Sequence, residues 1–161
     1  MIPLTAMSAV RRGNPWVASV YAGIITAIIA YVATLLLQAD QLIPFVVLLL
    51  LAGAGPVLGY ALASGRVLGS IGGIIGGTIG AIPVVSIILW PILVGVLMWW
   101  SQSIGKLFLA NLIGIIVSLA LFFALATNIG QDPAWFTLGF VVLMAVWGAI
   151  CGAAMTAWAK Y

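Results

Sequence analysis

The chain has 161 residues, of which 66% are hydrophobic and 4% are charged, and its formal net charge is +3. A water-soluble domain of this length needs many more charged residues on its surface, so the composition excludes the soluble globular class. It predicts a multi-pass protein of the cell membrane, a single membrane domain whose main partner is the lipid bilayer.

Charged residues divide the chain into long apolar runs. About 20 apolar residues cross ~30 Å of hydrocarbon as a helix, so these runs predict membrane spans. The central run, Val67–Trp100, is too long for one span, and Pro83 predicts a break within it. In chain order the predicted spans are residues 15–37, 42–63, 67–82, 84–100, 107–127 and 134–158. A re-entrant hairpin over residues 67–100 is the alternative to two full spans.

The charge distribution predicts the orientation. Six spans place the basic residues on one side of the membrane and the aspartates on the other: Arg11, Arg12, Arg66, Lys106 and Lys160 against Asp40 and Asp132. Basic residues favour the cytoplasmic side, and five spans would divide them between the two sides. The predicted fold class is therefore an all-α polytopic bundle of about six transmembrane helices, in three hairpins, with both termini cytoplasmic.

Two residue pairs mark predicted helix starts. Asn14-Pro15 and Asp132-Pro133 each place a capping side chain before a proline at the first helical position, where a missing N–H costs least. Asp40 also precedes an apolar run, so we expect Asp40 and Asp132 to cap helices. The alternative is that the two carboxylates gather cations at the mouth of a pore.

Glycine is concentrated in the third predicted span. Two stripes at steps of four residues leave one face of this helix nearly free of side chains: Gly69, Gly73 and Gly77, and beside them Gly72, Gly76 and Gly80. Such a face allows the close backbone approach that holds helices together in lipid. The stripes pack either against the chain's own helices or against a second subunit or a larger membrane complex.

A glycine- and proline-rich stretch carries a resemblance. It runs through Gly55-Pro56-Val57-Leu58-Gly59-Tyr60, Gly65-Arg66, Gly72-Gly73, Gly76-Gly77 and Ile82-Pro83. Residues 53–83 thereby resemble the core of small uncharacterised archaeal polytopic membrane proteins that are grouped as a domain of unknown function. The resemblance implies a membrane location and no defined activity.

The residue inventory offers little for catalysis. The chain has no histidine and a single cysteine, Cys151, and the predicted spans hold no acidic or basic residue near mid-membrane. We therefore expect no enzymatic activity, no metal site, no cofactor and no proton relay. Cys151 lies among small residues and is expected to be a buried hydrophobic side chain. Nothing in the charge pattern indicates nucleic-acid binding.

Four residues are candidates for a transport site. Pro56 and Pro91 fall inside predicted spans, where proline frees backbone carbonyls one turn earlier, and Pro83 breaks the central run. Broken helices of this kind form substrate sites in many transporters, although neighbouring helices also stabilise such kinks. Asn111 has four hydrogen-bonding valences to satisfy in the fifth span, either by clasping another helix or by contacting a ligand.

The preferred functional interpretation is a non-enzymatic membrane protein that self-associates, as a homo-oligomer, or serves as an accessory subunit beside other membrane subunits. The short predicted loops leave little chain with which to bind soluble ligands. The alternative is a small carrier or channel component for a neutral or hydrophobic solute.

Overall fold

A computed structural model describes residues 13–129 and 133–160, so Arg11, Arg12 and Asp132 lie outside the described residues. The described chain is helical and contains no strand. The α-helices are α1 (Pro15–Gln38), α2 (Leu42–Ala52), α3 (Gly55–Ser64), α4 (Ile71–Gly80), α5 (Ser86–Leu97), α6 (Ile104–Ile129) and α7 (Pro133–Ala157), and a 3-10 turn, Leu68–Ser70, precedes α4.

Three helices, α1, α6 and α7, are long and apolar enough to cross a membrane. The pair α2 and α3 makes a fourth candidate when it is counted as one span bent by 41°. The fold is thus an all-helical bundle with three to four candidate membrane spans. The segments predicted at 67–82 and 84–100 form the shorter apolar helices Leu68–Gly80 and Ser86–Leu97.

Helix α1 begins and ends with local hydrogen bonds. At its start the Asn14 side chain accepts a bond of 2.9 Å from the backbone N–H of Trp16, with Pro15 in the first turn as predicted. At its end Asp40 has a left-handed φ of 57°, and its N–H and that of Gln41 donate to carbonyls of the last turn. Asp40 therefore closes α1 by a Schellman-type arrangement.

The prediction that Asp40 caps the next helix is wrong. Gln41 occupies the N-cap position of α2, and no side chain forms a capping hydrogen bond there. The physical reason is the short connection: Asp40 is needed in the left-handed conformation that ends α1, one residue before the position from which it would cap α2.

The second predicted span is broken between α2 and α3, where the backbone passes through Gly53 and Ala54. Pro56 has no N–H to donate to Ala52, one turn earlier, so the regular bonding pattern stops there. Pro56 consequently stands in the first turn of α3 rather than inside a continuous helix. Gly65, with a left-handed φ of 69°, ends α3.

Helices α4 and α5 form a hairpin. Its base lies at one end of the bundle, where the Arg66 guanidinium stands 5.7 Å from the centre of the Trp100 ring and the backbone N–H of Lys160 donates to Ser101. Lys106 follows in the first turn of α6. We call this end, which holds Arg66, Lys106 and Lys160, the basic end. The hairpin tip is the turn at residues 81–85.

The helices surround a shared core. Helix α1 packs on α7, α3 and α2, while α6 packs on α7 and α5, and α5 packs on α4. Small residues let α1 and α7 approach closely: a Cβ added at Gly152 would stand 2.5 Å from the Cβ of Ala22. At the opposite end from the basic residues, the Gln38 side chain donates to the Thr137 hydroxyl at 3.2 Å, which joins the end of α1 to the start of α7.

Candidate functional site

One glycine stripe of the α4 segment faces α2 and α3. A Cβ added at Gly77 would lie 2.6 Å from the carbonyl oxygen of Gly53, at the break between those helices. A Cβ added at Gly73 would lie 3.1 Å from the Val57 side chain and would also overlap Met98. The missing side chains therefore let α4 lie against the backbone of the broken span.

The second stripe faces α5. Added Cβ atoms at Gly72 and Gly76 would each stand 3.1 Å from α5 backbone atoms, and one at Gly80 would stand 2.7 Å from the Cα of Trp90. Gly69, just before α4, lies against the ring of Trp100. All six glycines of the two stripes thus contact residues of this chain. They let α4 pack closely on α5 and on the broken span.

Pro91 and Asn111 form one structural unit. Pro91 lies inside α5 and has no N–H to donate to the carbonyl of Ile87. The Asn111 side chain, which is 1% exposed, reaches over from α6 and donates to that carbonyl at 3.3 Å and to the carbonyl of Ser86 at 3.1 Å. The amide therefore replaces the hydrogen bond that the proline removes, and Asn111 clasps two helices.

Two tryptophans complete the same network. The Trp147 indole N–H donates to the Asn111 side-chain oxygen at 2.8 Å, and the Trp90 indole N–H donates to the Gly53 carbonyl at 2.8 Å. The two rings meet edge to face, with centres 5.5 Å apart and an interplanar angle of 70°. The carbonyl that Pro91 leaves free and the break at Gly53 are therefore linked through adjacent indole rings.

A cavity of about 500 Å³ lies above this tryptophan pair. It lies beside the hairpin tip, among residues of the helices that surround the tip. Its walls come from α2, the tip, α5, α6 and α7, and they include Leu49, Pro83, Val84, Ser86, Ile87, Ile115, Ser118, Leu119, Phe140, Leu143 and Met144, with Trp90 and Trp147 as the floor.

The lining is almost wholly apolar. Ser86 and Ser118 carry its hydroxyl groups, and the Ser118 hydroxyl already donates to the carbonyl of Ile115 in its own helix at 3.1 Å. None of the described side chains that form the wall is charged. The arrangement suits a neutral hydrophobic ligand.

The structure separates the four predicted transport residues. Pro83 lines the cavity at the hairpin tip. Asn111 is not part of the wall but is hydrogen-bonded to three wall residues, Ser86, Ile87 and Trp147, and Pro91 follows the wall residue Trp90 in α5. Pro56 is buried at the start of α3 and is not part of the wall.

Sequence reasoning missed Trp90 and Trp147. A signal was available, because both tryptophans fall well inside predicted apolar segments, whereas tryptophan in membrane proteins is enriched at the interfaces. A buried indole needs an acceptor for its N–H, so each of these residues pointed to a polar partner within the bundle.

Cys151 is fully buried, and its sulfur lies 3.9 Å from the carbonyl oxygen of Ala110. Within residues 13–129 and 133–160 there is no cluster of three or more side chains of the metal-binding types. The thiol packs between α6 and α7 as a small apolar group.

Comparison with protein-family models, with curated proteins and with solved structures finds no match in any of the three. The class that the fold defines is that of a helical protein with three to four candidate membrane spans.

Proposed function

We propose that this chain is a non-enzymatic protein of the cell membrane that holds a neutral, hydrophobic solute in the cavity above Trp90 and Trp147, as a small carrier or channel component. The observation that carries the proposal is the cavity itself, about 500 Å³ in volume and walled by apolar side chains. Sites for small molecules typically measure about 300–1,000 Å³ and are mainly apolar.

The arrangement in the membrane is part of the proposal. Helices α1, α6 and α7 and the bent pair α2–α3 cross the bilayer, and the basic end faces the cytoplasm. The segment Leu68–Gly80 extends only about 20 Å at 1.5 Å per residue, short of ~30 Å of hydrocarbon. The α4–α5 hairpin is then a re-entrant loop, which enters the bilayer from the cytoplasmic side and returns to that side. The cavity lies next to the tip of this loop. The predicted orientation of all six segments is unchanged.

Carbene labelling tests the binding proposal. The purified chain in lipid vesicles is exposed to a small neutral alkyl diazirine and illuminated, and the labelled peptides are identified by mass spectrometry. We expect label on α7 residues that line the cavity, such as Met144. The variant Ser118→Phe fills the cavity from α6 and should remove this label.

A matched control adds the same bulk outside the cavity. Val117 is 38% exposed on the outer surface of α6, next to Ser118, so Val117→Phe should leave the label on Met144 intact. Equal labelling of Met144 in the Ser118→Phe and Val117→Phe variants would contradict the proposal, because the probe would then reach α7 without occupying the cavity.

Self-association, or an accessory role beside other membrane subunits, is the second candidate. The observation that favours it is the shortness of the described connections between the α-helices, since none is longer than six residues and little chain is left for soluble partners. Because the glycine stripes contact the chain's own helices, such an assembly would use the outer faces of other helices. Native mass measurement in mild detergent tests it, and a lone monomer would contradict it.

A further inference from the structure

The hydrogen-bonding groups at the cavity floor are all engaged within the protein. The Trp90 indole donates to Gly53, the Trp147 indole donates to Asn111, and the Asn111 amide donates to the carbonyls of Ser86 and Ile87. A polar solute that reached the floor would lose its bonds to water and find these indole and amide groups already bonded, whereas a hydrocarbon would lose nothing. The floor therefore selects for hydrocarbon.

The cavity also opens laterally, toward the lipid-facing surface of the bundle. Helices α2 and α6, which do not pack on each other, both contribute residues to the cavity wall. Leu119 of α6 and Val84 at the hairpin tip both belong to the cavity wall, and they are 41% and 83% exposed. The apolar wall is thus continuous with the outer apolar surface of the bundle, the surface that lies against acyl chains in a bilayer.

We propose that the occupant of this cavity is a hydrocarbon chain of a membrane lipid, which enters past the exposed wall residues Val84 and Leu119 and rests against the accessible edge of Trp147 while its headgroup stays outside. The inference rests on the proposed function, because it names the ligand class of the same site. The uncharged wall fits a chain and excludes a headgroup, whose charge would have no counter-ion there.

Tryptophan fluorescence offers a direct test, because the cavity floor consists of indole rings. Five other tryptophans are changed to phenylalanine, which leaves Trp90 and Trp147 as the emitters; the changed residues are Trp16, Trp99, Trp100, Trp135 and Trp158. Trp90 is fully buried and Trp147 is 8% exposed, so contact with lipid outside the bundle is small. The variant is placed in vesicles of phosphatidylcholine with or without bromine on the acyl chains.

Brominated chains should quench the emission of Trp90 and Trp147, and adding Ser118→Phe should abolish most of that quenching. Val117→Phe should leave it unchanged. Emission that is insensitive to brominated lipid would overturn the inference. The inference would also be overturned if acrylamide in the aqueous phase quenched the emission and brominated lipid did not, since the cavity would then open to water.

A second measurement uses the native chain and does not depend on five substitutions. Vesicles that contain a phosphatidylcholine with a diazirine near the end of one acyl chain are illuminated, and crosslinks are mapped. A lipid crosslink at Met144 that Ser118→Phe removes supports the inference. Labelling of Met144 by the free alkyl diazirine but not by the lipid would overturn the lipid assignment and leave the proposed solute site standing.

Discussion

Removal of the Asn111 amide should expose the cost of the N–H that Pro91 lacks. In Asn111→Leu the side chain keeps its approximate volume and loses its hydrogen bonds. The Trp147 N–H then has no acceptor, and the Ile87 carbonyl has no donor because Pro91 cannot supply one. The loss should be larger than for an ordinary polar substitution, since no water reaches this site to replace the amide.

The magnitude follows from the bonds that are lost. Asn111 takes part in three hydrogen bonds, at 2.8, 3.1 and 3.3 Å. Interhelical hydrogen bonds in membrane proteins are worth about 0.6 kcal/mol on average, so the free energy of unfolding should fall by about 2 kcal/mol. In a Pro91→Ala background the restored N–H can bond to Ile87, and the cost of Asn111→Leu should be smaller by about 0.6 kcal/mol.

The assay is a double-mutant cycle, with unfolding by dodecyl sulfate in mixed micelles followed by far-UV circular dichroism. Ser118→Ala is the control, because the Ser118 hydroxyl donates within its own helix and its loss should change the free energy of unfolding by less than about 0.5 kcal/mol. Equal costs of Asn111→Leu with proline and with alanine at position 91 would refute the reasoning, since the amide would then not be replacing the missing N–H.

Three further outcomes are expected. Gly77→Ala should lower the free energy of unfolding by about 1–3 kcal/mol, because the added Cβ would meet the backbone of the broken span. Gly105→Ala is the control: a Cβ at Gly105 has open space around it, so this variant should be neutral or stabilising in the same assay. Val84→Gly should raise the free energy of unfolding by about 1 kcal/mol, because valine at a left-handed φ of 70° is strained and its side chain is mostly exposed. Single cysteines at Arg66 and Lys106, in a chain without its native cysteine, should react with a membrane-impermeant maleimide from the same side of oriented vesicles; reaction from opposite sides would contradict the proposed topology.

The sequence predicted the long helices well because their signal is local. Helices α1, α6 and α7 begin and end within about three residues of the predicted bounds, since long apolar runs flanked by charges and Asx-Pro pairs define them. The break between α2 and α3 was not predicted at Gly53–Ala54. Proline and glycine inside an apolar run allow either a kink or a break, and neighbouring helices decide between them.

The site was only partly accessible from sequence. Pro83, Pro91 and Asn111 drew attention because proline and asparagine are unusual inside spans. Of these, Pro83 lines the cavity, and Asn111 is bonded to the wall residues Ser86, Ile87 and Trp147 without lining it. The cavity itself arises from the lengths and bend of elements far apart in the chain: a hairpin that is shorter than its neighbours and a second span that bends by 41°. No local pattern encodes that empty space.

The same physical constraint explains both the breaks and the cavity floor. Backbone carbonyls freed in a bilayer find no water, so a proline or glycine break persists only where another group donates to it. Here the Gly53 carbonyl receives the Trp90 indole and the Ile87 carbonyl receives the Asn111 amide, which in turn holds Trp147. The large rings that satisfy the breaks also pack edge to face and close the bottom of the space above the hairpin. A change that repairs the break at Gly53 would therefore compete with Trp90 for the Gly53 carbonyl and alter the cavity, which ties any ligand held there to the geometry of the broken helix.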